Sequence, residues 1–442
     1  MKGIMLGKWL KKRVRGGDVP RRHAVVLDVS ATAADGIIRK LVKAGYEAYL
    51  VGGAVRDLLL GVRPKDFDVA TNATPEQVRA VFRRSRIVGR RFPIVHVPVG
   101  GETVEVSTFR SGDVRHNASG RIVRDNAYGT LAQDASRRDF TCNALYYDVI
   151  GGEVIDFHGG MRDIAAKRLV MIGDAAERYC EDPVRILRAV RLSGKLGFAV
   201  DKHTAAPIAR HVHRLAGEPV SRLFDELMKI LFCGQAEACL RQLRLLGADG
   251  GVHPFLSALQ QGLDAGAGVV VAALRSTDAR VREHRPVSAG FVLAALLWPQ
   301  VRVLWQQGMD GGQSAAAAMN DAVMQIRGTF ERDWGLPQRY SAVMREIWLM
   351  QPQLANRRGA RAFRLLAQAR FRAAYDFLLI RAECGEAAGD LAQWWTAFQS
   401  ADDAGKRRLT DALAAAPSAG AQPKKKRRRR RKKTAAAPVA EA

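Results

Sequence analysis

Short apolar runs and segments of helical periodicity alternate along the first 150 residues. A helix is predicted over residues 31–45, where four apolar positions share one face and Gly45 ends the pattern. Apolar or alternating runs predict four strands, over residues 46–53, 66–71, 94–99 and 102–109. Gly100 and Gly101 separate the last two strands, as expected at a tight hairpin turn. The pattern therefore predicts a mixed α/β unit at the start of the chain.

Two further helices are predicted within this unit. One covers residues 54–60 and ends at Gly61. The other begins after Thr74, with Pro75 at its first position and Gln77 completing a capping box. Strands and helices therefore alternate throughout this part of the chain.

Beyond about residue 160 the periodicity is helical. From residue 414 onward alanine, proline, glycine and basic residues dominate, a composition that predicts no fixed structure. We therefore predict an α+β protein with a mixed-sheet head, an all-helical neck and body, and a disordered basic tail. The predicted boundaries are a basic N-terminal extension over 1–30, the head over 31–158, the neck over 159–220, the body over 221–413 and the tail over 414–442.

The charge balance indicates a polyanionic partner. The formal net charge is +26 and the sequence pI is about 10.5. Residues 424–433 are all basic, and such closely spaced charges would gain by releasing counterions from a nucleic acid. Lys424 and Arg428 in this run are therefore candidate RNA-binding residues. A solubilising end without phosphate contacts is the alternative.

The composition disfavours several other classes of protein. The five cysteines include no CxxC pair and no ligand-like spacing with the nine histidines, so no zinc site is predicted. Cysteine usage of this kind favours a reducing compartment. No stretch approaches the ~18 apolar residues of a membrane span, and the N-terminus lacks the apolar run of a signal peptide. We expect a cytoplasmic protein without an integral membrane segment.

Asp66 and Asp68 are the main candidates for metal binding. Residues i and i+2 of a strand share a face, so the two carboxylates would project together, roughly 6 to 7 Å apart along the chain. This spacing suits two divalent cations about 3.5 to 4 Å apart, as in two-metal phosphoryl-transfer sites. An EF-hand is excluded, because a loop starting at Asp66 would have Thr71 instead of glycine and Gln77 instead of glutamate. Simple capping of a turn is the alternative.

Gly52, Gly53 and Arg56 predict a phosphate site beside these aspartates. A strand that ends in two glycines and passes into a helix offers bare backbone N–H groups at a positive helix end. Arg56, one turn into that helix, could bind the same anion through its forked guanidinium. With the acidic pair on the next strand, these residues describe a nucleoside triphosphate held beside its metals. Glu105 is a further candidate for the same sheet face, or else an exposed strand glutamate.

Two later segments carry residues suited to a nucleotide. The segment RRDFTCN combines groups suited to ribose, triphosphate or metal, or alternatively to a surface salt-bridge cluster: Arg137, Arg138, Asp139 and Asn143. The segment EDPVRILRAVR places an aspartate at a helix start and an arginine at every third position: Asp182, Arg185, Arg188 and Arg191. An aspartate and an arginine together match the Watson–Crick edge of adenine or cytosine and should reject guanine and uracil.

Together these segments resemble the class II nucleotidyltransferase family, which includes bacterial poly(A) polymerases and CCA-adding tRNA nucleotidyltransferases. LVGGAVRDLLLG…DFDVAT is similar to the family's metal motif, RRDFTCNAL to its ribose-facing motif and EDPVRILRAVRLSGKLGF to its base-reading motif. The resemblance covers roughly residues 45 to 200. GRRF followed by HV, the region RRGARAFRLLAQARFRAAYDFLL and the polybasic end resemble the poly(A) polymerase branch.

The resemblance implies metal-dependent transfer of a nucleoside monophosphate from an NTP to an RNA 3′-hydroxyl, with release of pyrophosphate. It implies that Asp66 and Asp68 bind two Mg²⁺ ions and that Asp139 is a further acidic residue of the catalytic site. Asp182 and Arg185 would face the base. The complete set of residues expected to bind ATP is Gly52, Gly53, Arg56, Arg138, Asn143, Asp182, Arg185 and Arg188.

The helical body supplies a further candidate RNA surface. Arg357, Arg361 and Arg364 fall on one face of a predicted helix, which we expect to lie along RNA phosphates. A solvated arginine face is the alternative. The expected activity of the whole chain is template-independent addition of AMP to RNA 3′ ends. The alternatives are CCA addition to tRNA and, in a different class, RNA binding without catalysis.

Overall fold

The computed structural model describes residues 19–30, 32–89, 93–111, 115–116, 122–124, 127–248, 256–257, 268–333 and 337–415. The predicted disordered tail lies outside the described residues from residue 416 onward. Its two candidate RNA-binding residues, Lys424 and Arg428, therefore lie outside them too.

An eight-stranded mixed sheet organises the head, with the strand order β1-β10-β9-β2-β3-β6-β5-β4. Within it β3 and β6 are parallel, whereas the other neighbouring strands are antiparallel. The strands of this sheet are β1 Arg21–Ala24, β2 Ala48–Val51, β3 Asp68–Thr71, β4 Arg86–Val88, β5 Ile94–Val99, β6 Glu102–Thr108, β9 Leu145–Asp148 and β10 Glu153–Asp156. Two small sheets pair β7 Arg115–His116 with β8 Ile122–Arg124 and β11 Arg168–Leu169 with β12 Ala199–Val200.

The helices of the head are α1 Ala33–Lys43, α2 Gly53–Leu59, α3 Pro75–Val81 and α4 Leu131–Arg137. Thr74 and Gln77 form the expected capping box at the start of α3. Apolar residues of α1 pack with the buried valines of β3, β5 and β6 on one face of the sheet. Residues that alternate with these valines point to the opposite face.

The structure corrects two details of the sequence-based prediction. The strand expected over 66–71 begins only at Asp68, so Asp66 precedes the strand. The N-terminal extension expected over 1–30 contains β1, which pairs with β10 at the edge of the head sheet. Its sequence, RRHA, has no apolar alternation that would predict a strand, but its backbone pairs with β10 and Arg22 forms an exposed ion pair with Glu153.

Beyond β10 the described chain is mainly helical. The helices up to residue 245 are α5 Gly160–Ala165, α6 Ala175–Glu181, α7 Val184–Leu196, α8 Lys202–Ala205, α9 Ile208–His211, α10 Val220–Leu231 and α11 Ala236–Leu245. Those after residue 248 are α12 Gly268–Arg282, α13 Ala289–Asp310, α14 Ala315–Asp333, α15 Gln338–Leu354, α16 Ala360–Leu366, α17 Phe371–Glu383, α18 Gly389–Ser400 and α19 Asp403–Ala415. The mixed-sheet head and helical body confirm the predicted fold class.

Helices α7 and α11 pack unusually closely. A Cβ atom added at Gly194 of α7 would lie 2.5 Å from Cα of Cys239 on α11. Only glycine therefore fits at this crossing. Within the part of the chain that the structure describes, no helix is both long and apolar enough to span a bilayer.

Candidate active site

A row of polar side chains crosses the sheet on the face opposite α1 and α3. Asp68 on β3 is level with Glu105 on β6, and Glu105 is level with His96 on β5. His96 Nε2 lies 3.5 Å from Glu105 Oε1. Partial desolvation, followed by repulsion from Glu105, raises the pKa of Asp68 to about 6. Glu105 therefore shares the face of Asp68, as the strand alternation predicts.

Asp66 and Asp68 fit a magnesium ion by their chemistry. Both residues are exposed, and their carboxylates supply the hard oxygen ligands that Mg²⁺ prefers. Repulsion from Asp66 also contributes to the raised pKa of Asp68, so a cation beside the pair would relieve unfavourable charge. Among the described residues no group of three or more His, Cys, Asp or Glu side chains converges as a ready metal site. The fit is therefore to an ion that completes its ligand set with substrate phosphates, as Mg²⁺ commonly does.

The glycine bend at Gly52 and Gly53 lies beside these carboxylates. Val51, the last residue of β2, is level with Asp68, the first residue of β3. The glycine bend therefore begins at the same end of these two strands as Asp68. Gly52 has φ of +74°, in the left-handed region that favours glycine. A Cβ at Gly52 would lie 3.5 Å from Nη1 of Arg138, and one at Gly53 would lie 3.4 Å from Nη2 of Arg56. The two glycines therefore leave backbone, without side chains, between two guanidinium groups.

The buried Arg56 does not point freely toward an anion, in contrast to the simplest expectation from sequence. Its side chain donates from Nε and Nη2 to Asp57 Oδ1 at 2.8 and 2.6 Å. Its Nη1 donates to Asn143 Oδ1 at 2.5 Å. Arg56 thus ties the glycine bend to Asn143, a contact 87 residues away in the sequence that local pattern cannot reveal.

Arg138 is held in place by two residues that sequence reasoning missed. Its Nη2 lies 3.0 Å from Asp134 Oδ2, and its Nε donates to the Tyr146 hydroxyl at 2.9 Å. Burial alone would raise the pKa of Asp134, but Arg138 and Arg137 outweigh it and hold this pKa well below its usual range. The remaining nitrogen, Nη1, faces Gly52. Arg138 therefore presents a fixed positive charge to the bend and to Asp68.

Asp139 connects the head to α7, the helix of the segment EDPVRILRAVR, and is itself contacted by Asn143. Asp139 Oδ1 accepts hydrogen bonds from the backbone of Phe140 at 2.8 Å and from Asn143 Nδ2 at 3.4 Å. Its Oδ2 lies 2.6 Å from Nη2 of Arg188 on α7. Burial opposes ionisation of Asp139, yet Arg188 and these hydrogen bonds hold its pKa below the usual range. In the described structure these contacts do not join Asp139 directly to Asp66 or Asp68.

The other charges of the segment EDPVRILRAVR are also paired. Asp182 Oδ2 accepts from Arg222 Nη2 at 2.7 Å, while its Oδ1 accepts from the backbone of Val184 at 3.2 Å. Arg185 is buried and donates to Glu181 Oε2 at 2.9 Å. Arg191 donates to Glu226 Oε1 at 2.6 Å. Arg222 and Glu226 lie on α10, so sequence alone did not show these partners.

The three body arginines are divided between two environments. Arg361 and Arg364, on α16, line an open cleft of about 320 Å³ together with Gln353, Asn356, Leu365 and Gln368. Arg357 precedes α16, and its Nη1 and Nη2 lie 3.2 and 3.3 Å from Asp390 Oδ2. Its guanidinium also lies 5.8 Å from the centre of a Trp394 ring. The predicted single arginine face is therefore wrong in detail, because Gly359 starts a new helix after Arg357.

Family models match the chain in three places. The Poly A polymerase head domain matches residues 48–170, the probable RNA and SrmB-binding site of polymerase A matches residues 197–259, and the polymerase A arginine-rich C-terminus matches residues 311–433. Poly(A) polymerase I of Salmonella typhi is 40% identical over 402 residues, or 86% of this chain and 85% of that protein. The chain belongs to the poly(A) polymerase family. Membership in the poly(A) polymerase family confirms the predicted family and enzyme class, a polynucleotide adenylyltransferase.

The chain is also similar to a second poly(A) polymerase and to CCA-adding enzymes. Poly(A) polymerase I of Haemophilus influenzae is 40% identical over 389 residues, or 84% of this chain and 85% of that protein. A CCA-adding enzyme of Bacillus pumilus is 40% identical over 211 residues, or 48% of this chain and 51% of that protein. The crystal structure of the Bacillus stearothermophilus CCA-adding enzyme in complex with CTP has a TM-score of 0.57 and 28% identity, covering 86% of this chain and 82% of that chain.

Proposed function

We propose that this protein adds AMP units from ATP to RNA 3′-hydroxyl ends without a template and releases pyrophosphate. The proposal rests on one observation. The exposed Asp66 and Asp68 lie beside the glycine bend, where β2 ends and β3 begins. Relatives that span most of the chain are named poly(A) polymerases, which favours ATP as the nucleotide.

Asp66 and Asp68 are the residues that would hold Mg²⁺ in this proposal. When bound, magnesium supplies Lewis-acid stabilisation of phosphate charge and lowers the pKa of the attacking hydroxyl. The raised pKa of Asp68 supports the assignment, because burial and repulsion from Glu105 and Asp66 outweigh the attraction of Arg138 at this carboxylate.

The protein's own residues would orient the triphosphate. The glycine bend allows phosphate oxygens to approach the backbone closely, since no side chain occupies Gly52 or Gly53. Nη1 of Arg138 faces the same bend and would neutralise charge on the bound phosphates. Arg56 and Asn143 would act as positioning residues for the glycine bend, because the buried Arg56 lies against the bend and donates a hydrogen bond to Asn143. No side-chain nucleophile is required.

Nucleotide choice would be made at α7. The Asp182 carboxylate and a neighbouring arginine can match the donor and acceptor of adenine, but the Asp182 side chain is engaged with Arg222. Reading the base would therefore require Asp182 to share its acceptor oxygens between Arg222 and the base. Arg185 would first have to exchange contacts with Glu181, whereas Arg188 would support α7 through Asp139.

The activity test uses purified full-length protein, Mg²⁺, unrelated RNA primers and each NTP separately. The expected result is long tails with ATP alone and no long products with CTP, GTP or UTP. Addition of C, C and A to tRNA followed by a stop would instead establish the second candidate, CCA addition. The similarity to CCA-adding enzymes over about half of the chain is the observation that favours this second candidate.

RNA binding by the body would involve the cleft beside Arg361 and Arg364. The cleft is lined by two guanidinium groups and three carboxamides, which are donors and acceptors suited to phosphates and unpaired bases. No carboxylate is among its described lining residues. Arg357 would contribute less, since Asp390 already partners its guanidinium. The basic run containing Lys424 and Arg428 would add sequence-independent attraction for RNA.

A further inference from the structure

The head contains a cavity of about 660 Å³ on the side of the sheet that faces away from the catalytic carboxylates. Its walls come from α1, from the connection between α3 and β4, and from the end of β5. Val97 lines the cavity and belongs to the valine face of β5, whereas the adjacent His96 points to the face of Glu105. The cavity is therefore separate from the candidate active site, and its volume is in the range of small-molecule sites.

Apolar side chains form much of the cavity wall. They are Ile37, Val81, Phe82, Val97 and Val99, together with smaller alanine and proline surfaces. Ile37 and Val97 are each only 1% exposed, so they form the interior part of the wall. An apolar group that entered the cavity would remove this lining from water, which favours a ligand with a hydrophobic body.

The same cavity carries an excess of positive charge. Lys40, Arg83 and Arg84 line it, and no carboxylate is among its described lining residues. Lys40 Nζ lies 4.9 Å from the centre of the Phe82 ring. Ser85 also lines the cavity, but its Oγ atom is buried and does not face the open space. These three cations, without a neighbouring carboxylate among the described lining residues, suit an oxyanion.

Gly36 keeps one wall of the cavity open. It lies inside α1, where glycine destabilises a helix relative to alanine, yet its φ does not fall in the left-handed region. No atom lies within 4 Å of the position that a Cβ would take at Gly36. The conformation of the backbone therefore does not require glycine here, whereas a large side chain at this position would extend into open space at the cavity.

We propose that this cavity binds a small amphipathic anion, with an apolar body of alkyl or aromatic character and a single phosphate or carboxylate group. The apolar wall distinguishes it from a surface that tracks an RNA backbone, which would require charge but not a concave hydrophobic lining. The site lies apart from the catalytic face and is independent of the proposed adenylyl transfer.

Calorimetric titration of the full-length protein tests the proposal with four probes. Octyl phosphate below its micelle concentration represents a lipid-like source of the ligand, and AMP represents a nucleotide source. Inorganic phosphate supplies only the anionic group, and octyl glucoside supplies only the apolar chain. We expect octyl phosphate or AMP to bind at one site per chain at least about 10-fold more tightly than either partial probe, since both halves of the ligand contribute.

Variants assign the binding to the cavity. Gly36→Phe should fill the cavity and abolish this binding, while Gly36→Ala retains it. Lys40→Gln combined with Arg84→Gln should weaken binding at least about 10-fold, because two charge-assisted contacts are lost. Lys43→Gln combined with Arg79→Gln removes the same charge from α1 and α3 outside the cavity and should change binding less than about 2-fold. If Gly36→Phe fails to fold, the comparison of these two double variants still tests whether the cavity binds the ligand.

Several results would overturn the proposal. They are failure of both amphipathic anions to bind, undiminished binding in folded Gly36→Phe, equal binding of octyl glucoside and octyl phosphate, or equal losses in the two charge-matched double variants. RNA affinity that falls with Lys40 and Arg84 while no probe binds would assign the surface to RNA instead. Adenylyl transfer is measured in parallel and should remain within about 2-fold in every variant, so failure of one proposal is distinguishable from failure of the other.

Discussion

The proposed metal-binding region of the head and the proposed base-reading helix of the neck differ in how their charged residues are paired. Asp66 and Asp68 are exposed, and partial desolvation followed by repulsion from Glu105 raises the pKa of Asp68. On the neck side, Asp182 and Arg188 each have an ion-pair partner within the protein. Asp66 and Asp68 therefore have no ion-pair partner among the described residues, whereas Asp182 and Arg188 already have one. A ligand would therefore add to the contacts of the head but would compete with contacts of the neck.

The largest expected effect follows from neutralising the unpaired carboxylates. Asp66→Asn combined with Asp68→Asn should reduce nucleotide incorporation at least about 10³-fold, equivalent to roughly 4 kcal/mol of transition-state stabilisation. Single-turnover incorporation with ATP and Mg²⁺ measures this loss. Glu76→Gln combined with Glu102→Gln removes two exposed carboxylates elsewhere on the head and serves as the control. Equal losses in both double variants would show that net charge, and not a metal site, is responsible.

The free energy of unfolding should respond in the opposite order to catalysis. Substituting a paired charge should lower it more than substituting an unpaired one. Asp139→Asn should lower the free energy of unfolding by about 2 kcal/mol, less than a fully buried pair would lose, since the Arg188 side chain is 39% exposed. Asp66→Asn should change it by less than about 0.5 kcal/mol. Urea unfolding measures both values, and a larger loss for Asp66→Asn would contradict the comparison.

The pH dependence of this stability difference has a defined sign. The folded-state pKa of Asp139 is depressed, so its contribution is fully present above the ordinary carboxyl pKa and is lost as pH falls through the depressed value. The gap in unfolding free energy between the wild type and Asp139→Asn should therefore stay constant from about pH 8 to pH 5 and narrow below about pH 4. A gap that widens in acid would show that Asp139 is not held ionised by Arg188.

A smaller effect is expected on nucleotide selectivity. Arg222 bridges Asp182 and Glu218, at 2.7 and 3.0 Å respectively. Asp182→Asn should lower the preference for ATP over GTP by about 10-fold, because one reader of the base is lost. Glu218→Gln removes the other partner of Arg222 and should leave this preference within about 2-fold. Ratios of kcat/KM for the two nucleotides test this, and equal shifts in both variants would mean that Asp182 acts only by holding Arg222.

The smallest effect is expected in the body, where paired and unpaired arginines can be compared directly. Arg361→Gln combined with Arg364→Gln should weaken RNA binding about 3- to 10-fold and make the dependence on salt less steep. Arg357→Gln should weaken it less than about 2-fold, since Asp390 holds that guanidinium. Fluorescence anisotropy with labelled RNA at several salt concentrations distinguishes these cases. A larger loss for Arg357→Gln would reverse the assignment.

Local signals in the sequence predicted the parts of the fold that depend on short-range chemistry. The capping box at Thr74 and the hairpin at Gly100 and Gly101 are examples. The shared sheet face of Asp68 and Glu105 also follows from strand alternation, whereas their level register is set by the pairing of β3 with β6. Such features depend on residues close in sequence or on a two-residue period.

Features that depend on distant partners could not be predicted in the same way. Arg56 was expected to face an anion, but its guanidinium is bound to Asp57 and to Asn143. The partner of Asp182, Arg222, lies 40 residues away on another helix. Only the packed fold specifies these pairs, because burial of a charge demands a partner from whichever element is adjacent.

Gly194 fixes the position of α7, the proposed base-reading helix, against α11. Backbone meets backbone where α7 crosses α11, and there is no room at that crossing for even one additional methyl group. A hydrogen atom in place of a side chain thus sets the distance between α7 and α11, and an alanine there would force the two helices apart and so displace the residues proposed to read the base without altering any of them.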